Sequence, residues 1–193
     1  MRQIKRFLFL LAGACLMIAC SKSDSLVNGD DENVNLKKGG ADPTTVAVPF
    51  KSDFTVWDHS DYTDPGCGGF PVLVLTMDGE GTATHLGQFT SHWTFCCDVT
   101  TGYYYNTIAV FTAANGDELY ISIPEGYIIP NDGDNSDYYE TKFNDPMYFV
   151  GGTGRFEGAS GSGMTNAFVH NNPDDWHTDF FGTGTLILVK GKK

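Results

Sequence analysis

Cysteine and histidine, five of each in 193 residues, are the side chains most able to do chemistry here, and their spacing sorts them. In an exported chain, exposed thiols oxidise to disulfides. Cys96 and Cys97 are neighbours in a stretch that reads as a strand, so they point to opposite faces and only one can readily meet Cys67. The run Pro65-Gly66-Cys67-Gly68-Gly69 has loop composition and belongs outside a sheet. Cys67–Cys96 is therefore the expected disulfide, with Cys97 a buried free thiol beside Phe95. His59, His92, His170 and His177 show no metal-ligand spacing, and no nucleophile, base and acid fall into a catalytic order. No catalytic residue, metal or cofactor is assigned. The oxygen-rich run from Asn131 to Asp137 lacks the glycine at the sixth position from Asp132 and the flanking helices of a calcium loop. It reads as a solvated turn.

His85 stands apart. If the strand through it is regular, it shares a face with Phe89, Trp93 and Phe95, beside the small residues Gly81, Ala83 and Gly87. An inward histidine with space around it would line a pocket, and these four residues are the candidate pocket set. A bulge at Gly87 would instead turn His85 outward.

The elements that must position these groups are strands. From Val46 onward no amphipathic helix is evident. His85–Cys97 alternates with a period of two, Phe89, Trp93, Phe95 and Cys97 falling on one face. Glu118–Ile123 repeats the pattern. Asn115-Gly116 is a hairpin signal, and Asp78-Gly79, Thr101-Gly102 and Asn131–Gly133 mark further expected reversals. Other strands are expected near Val46–Trp57, Pro71–Met77, Tyr103–Thr112, Met147–Val150, Gly163–Val169 and Phe180–Val189. About eight strands with short connections predict an antiparallel barrel, with a sandwich as the alternative. The tyrosines at 103–105 and 138–139, with Trp57 and Trp176, read as core and rim residues or as stacking platforms for sugars or other flat ligands at a barrel mouth.

Two glycine-rich segments carry a resemblance. Gly81-Thr82-Ala83-Thr84-His85-Leu86-Gly87-Gln88-Phe89-Thr90 leads into a Phe-rich strand. Gly151-Gly152-Thr153-Gly154-Arg155-Phe156-Glu157-Gly158-Ala159-Ser160-Gly161 follows much later. The pair resembles bacterial proteins related to the allene oxide cyclase and dirigent barrels, over roughly 46–190. The resemblance implies an all-β fold, an eight-stranded calycin-like antiparallel barrel, and transfers no catalytic residue. A phosphate-loop reading of 151–163 fails for want of a Gly-Lys-Ser/Thr ending and a following helix.

The first 20 residues are of another kind. Arg2, Lys5 and Arg6 precede an apolar run from Phe7 to Ala19, about 20 Å as a helix and too short for a bilayer core of roughly 30 Å. It reads as a signal peptide. Met17-Ile18-Ala19-Cys20 resembles a bacterial lipobox, with Leu11–Cys15 as a competing match. The resemblance implies cleavage before Cys20 and its acylation, which would hold the chain in a membrane. Residues 20–44, the lipidated cysteine and a polar stretch without periodicity, read as a disordered tether. Ser21–Asp24 with Asp30-Asp31-Glu32 resembles the leading segment of surface-exposed bacterial lipoproteins. The domain plan is thus 1–19 leader, 20–44 tether and 45–193 barrel, anchored to an outer membrane.

Charge narrows the partners. The formal net charge is −12, and losing the three leader cations takes it to about −15. Arg155 is then the only arginine. Nothing supplies the clustered cations that nucleic acid or anionic lipid demands, so the expected membrane contact runs through acylated Cys20. Three roles are consistent with these features. A non-catalytic barrel taking a small apolar or aromatic ligand comes first. A cyclase or isomerase similar to allene oxide cyclase and an interaction lipoprotein with a filled barrel are the alternatives.

Overall fold

The computed structural model describes residues 44–133 and 135–191. Cys20, the leader and the tether up to residue 43 lie outside the described residues. Twelve strands form one antiparallel sheet: β1 Thr45–Asp58, β2 Val72–Ala83, β3 Gly87–Asp98, β4 Tyr103–Ala113, β5 Glu118–Tyr127, β6 Ile129–Pro130, β7 Thr141–Phe143, β8 Pro146–Gly152, β9 Ser160–Met164, β10 Ala167–His170, β11 His177–Phe180 and β12 Thr183–Val189. One 3₁₀ turn spans Gly154–Phe156.

Pairing reduces these twelve strands to eight staves. β1 to β4 are continuous. β5 with β6, β7 with β8, β9 with β10, and β11 with β12 are each one stave broken partway along. Neighbouring staves pair in sequence, and β1 closes the ring through β12 by its first half and through β11 by its second. The result is a closed eight-stranded antiparallel barrel, which removes exposed sheet edges.

The breaks align in a seam around one side of the wall. It runs through Asn144-Asp145, Thr165-Asn166 and Phe181-Gly182. Side chains and displaced backbone bonds patch it: Asp145 N–H donates to Thr165 Oγ1 at 2.9 Å, Asn166 N–H to Asn144 Oδ1 at 3.2 Å, and Ser52 N–H to the Gly182 carbonyl at 2.9 Å. Thr165, 1% exposed, thus meets a backbone donor that the ladder leaves over.

The alternation read in β3 holds. Phe89, Trp93 and Cys97 are buried, Phe95 is half-buried, and the intervening Gln88, Thr90, His92 and Thr94 are exposed. Asn115-Gly116 makes the expected hairpin, Gly116 having φ +88°. Asp78-Gly79 does not reverse the chain. It lies inside β2, where a Cβ on Gly79 would fall 2.3 Å from the Thr55 carbonyl oxygen. That glycine serves the close approach of β1, and the reversal comes later, at Thr84–Leu86. Pro71–Met77 therefore underestimated β2.

All eight staves run between the same two ends. Thr45 and Val189 lie at one, here the near end, and the Lys190 N–H bonds the Thr44 carbonyl beside them. The near end is closed by packed side chains. Phe156 is fully buried there, its entry made possible by Gly152, whose Cβ would lie 2.6 Å from that of Phe156. Arg155 spans the rim, donating from Nε to Asp117 Oδ2 and from Nη2 to Asn115 Oδ1, both at 3.0 Å. The glycine-rich run 151–161 is thus a plug. Next to it, toward the middle of the barrel, Phe50, Phe54, Phe89, Phe111 and Phe149 fill the interior with stacked and edge-on rings. Gly39–Lys193 forms one compact unit holding this whole core.

Candidate functional site

The packing gives way toward the far end. Beneath Trp93 and Phe180, whose rings stack at 5.1 Å, lies a cavity of about 50 Å³. Leu75, Met77, Phe95, Ile123, Phe143 and Val169 supply most of its apolar wall, and Trp176 closes it from the end of the exposed loop 171–175. Among the described residues, no His, Asp or Glu lines it. At that size it holds a water or two, short of the ~150 Å³ that takes a benzene and far short of the ~300–1,000 Å³ typical of drug-sized ligands, so a ligand must displace Trp176 and its loop to enter.

A bulge shapes this wall. The β3–β4 register shifts between Thr94 and Cys96, and Asn106 takes φ +57°. Tyr104 and Thr107, three apart on one strand, therefore both face inward, which regular alternation would forbid. Three lining residues carry a buried polar atom without a hydrogen-bond partner among the described residues: Trp93 Nε1, Thr107 Oγ1 and Trp176 Nε1. Each such orphan costs about 1–3 kcal/mol.

Of the four candidate pocket residues, Trp93 and Phe95 line the cavity. Phe89 is buried higher, in the aromatic plug, against Phe54 and Phe111. His85 is a correction. It occupies the near-end β2–β3 turn with φ +68° and is exposed. The chain reverses through it, so it shares no face with Phe89. The space expected beside Gly81 belongs to Phe54, whose Cβ lies 2.3 Å from where a Cβ on Gly81 would stand.

Cys67 and Cys96 form the expected disulfide, tying the β1–β2 loop to the outer face of β3. Cys97 is free, buried and inward. Burial, with the charge of Asp98 adding to it, pushes its thiol up to about 11, which leaves it protonated and a poor nucleophile at neutral pH.

The other histidines serve the wall. His92 meets Asp78 at 2.7 Å on the exterior. His170 and His177 face each other across β10 and β11, their rings 5.1 Å apart, with Tyr138 stacked on His170 at 4.2 Å. Asp179 accepts from Thr55 Oγ1 and Tyr139 Oη, each at 2.5 Å. No group of three potential ligands is placed to hold a metal among the described residues. In the 131–137 loop, Asp132 is paired with Lys142 at 2.7 Å and Asn131 is turned onto the backbone of Gly133 and Tyr139.

Sequence reasoning missed Tyr104, Thr107, Ile123, Phe143 and Val169 as lining residues. Strand alternation could have flagged Ile123, but Thr107 turns inward only because of the bulge. No family model and no curated protein matches the chain.

Proposed function

We propose that this chain is an exported lipoprotein, acylated on Cys20 and held at an outer membrane, whose barrel takes a compact apolar or aromatic ligand at its far end. One observation carries the ligand reading: an apolar cavity sits beneath Trp93 in a barrel otherwise filled with aromatic rings. The orphaned donors of Trp93, Thr107 and Trp176 favour a ligand that brings an acceptor oxygen with its apolar body. The lack of any His, Asp or Glu in the lining favours binding over a cyclase that moves protons.

Two of the three tryptophans line the cavity, so entry of a ligand is directly visible. The full chain in lipid nanodiscs, with Trp57→Phe to remove the third, is titrated with indole and with cyclohexanone. Saturable change in tryptophan emission with a rise in Tm is the expected result. No change with either probe, and no retained small molecule in native mass spectrometry, would leave the filled-barrel interaction protein as the better reading. Intact mass of the membrane-extracted chain tests the anchor separately. A mass beginning at Ser21 or Met1, or an unmodified Cys20, would remove it.

A further inference from the structure

A second surface, on the outside of the wall, is built for a different ligand. The β5–β8 ladder ends at Ser122 opposite Tyr148, and pairing between the two staves resumes only at Ile129 opposite Lys142. Pro124 and Pro146 stand in the interval, and neither has an N–H to extend a ladder. The wall there folds into an open groove of about 460 Å³.

Tyrosines flank it. Tyr103 lies on β4, with Tyr127 opposite it on β5 at 5.0 Å between rings, and Tyr105 stacks on Tyr103 at 5.6 Å. Tyr148 stands on the β8 side. Tyr127 is 56% and Tyr148 44% exposed, a large aromatic exposure for the outside of a barrel. Two carboxylates, Glu125 and Asp145, line the groove with them. The Tyr103 hydroxyl is already donated to Glu125 Oε2 at 2.8 Å, and the Tyr104 hydroxyl to Asp145 Oδ2 at 2.7 Å. Among the described residues, no Lys or Arg lines the groove.

We infer that this groove binds a neutral sugar chain. A pyranose ring offers an apolar C–H face, which a rigid tyrosine ring accepts without much loss of side-chain freedom. Its hydroxyls are donors, and carboxylates are strong acceptors for them. The groove has acceptors in excess and few free donors, so it suits a donor-rich ligand. A proline-rich peptide brings mainly carbonyl acceptors and would leave Glu125 and Asp145 unmet. An acidic polysaccharide would meet those carboxylates and a chain of net charge −12. The interior cavity plays no part, so this inference and the proposal above stand or fall separately.

Isothermal titration of the full chain in nanodiscs uses cellohexaose, maltohexaose and mannohexaose as neutral probes, with polygalacturonate, a proline-rich decapeptide and hexalysine for comparison. At least one neutral hexasaccharide binds, and Tyr127→Ala and Tyr148→Ala each weaken it roughly tenfold. Tyr127→Phe retains most of the affinity, and Trp57→Phe changes nothing. Both tyrosines are solvent-exposed, so the alanine variants keep the fold, which circular dichroism verifies. Binding of none of the three neutral probes overturns the inference. So does saccharide binding indifferent to Tyr127 and Tyr148, or tighter binding of polygalacturonate or either peptide at the same tyrosines.

Discussion

The Tyr104 hydroxyl donates to Asp145 Oδ2 at 2.7 Å across the place where residue 126 has no side chain. A Cβ on Gly126 would lie 2.4 Å from both oxygens. Tyr104 lines the interior cavity and Asp145 lines the exterior groove, so this bond joins the two sides of the wall. Burial first, then the bond to Asp145, pushes the phenol's pKa far up. Tyr104 therefore remains a donor at all ordinary pH.

Tyr104→Phe removes that donor and leaves the ring in place. Urea unfolding should register a loss of about 1–3 kcal/mol, the cost of stranding a partly buried acceptor. Gly126→Ala should cost at least as much, because it forces the same two oxygens aside. A Tyr104→Phe variant as stable as the parent would mean that water replaces the hydroxyl without penalty.

Thr107 makes the opposite prediction. It is 3% exposed and its hydroxyl has no partner among the described residues. Thr107→Val keeps the β-branched shape and removes the orphan, so the ligand-free protein should gain up to about 1 kcal/mol. The same change should weaken cyclohexanone more than benzene if an acceptor oxygen meets this hydroxyl. Paired titrations of the parent and the Thr107→Val variant read the difference.

Phe156 closes the near end and is fully buried. Phe156→Ala should cost about 3–5 kcal/mol. Arg155→Ala should cost less, since its guanidinium is partly solvated where it meets Asp117 and lies 5.2 Å from the Phe156 ring centroid. Chemical denaturation of both variants gives the ratio. A larger loss at Arg155 would show that the rim contacts, rather than the plug, hold the end shut.

Cys97 adds an alkaline limb to stability. Its pKa rises from 9.0 to about 11 on folding, so between these values the folded chain holds a proton that the unfolded chain has released. Stability from this group is therefore complete below about pH 9 and is lost as the pH climbs through 11, by roughly 2–3 kcal/mol. Cys97→Ala should flatten that limb while lowering stability at pH 7 through the small void it leaves. The comparison is unfolding free energy against pH for both chains. Parallel curves from pH 8 to 11 would contradict the assignment.

The strands were legible because alternation survives in β3, β4 and β5, where one face meets aromatic core and the other meets water. The disulfide was legible for the same reason: Cys96 and Cys97 must point apart, and only the outer one can reach a loop. The four breaks along the second half of the barrel were not. Ile128, Asn144-Asp145, Thr165-Asn166 and Phe181-Gly182 look like ordinary strand residues or loop residues in isolation, and they fall into line only when the staves are laid side by side.

His85 marks the limit of local reading. Two strands joined by a three-residue turn and one long strand have nearly the same alternation, and the turn was misplaced to Asp78-Gly79. What decided it was β1, whose backbone lies against Gly79 and Gly81 and allows no side chain at either. Composition and period by themselves determined an all-β domain with a Phe-rich strand face and favoured a Cys67–Cys96 tie, while closure into a barrel rather than a sandwich was decided by the pairing of β1 with β11 and β12. The cavity beneath Trp93, the inward turn of Thr107 and the groove beside Tyr127 were decided by the tertiary structure. Thr107 turns inward through a register shift between β3 and β4, and the groove opens where the β5–β8 ladder breaks, and irregular pairing of that kind has no local signal.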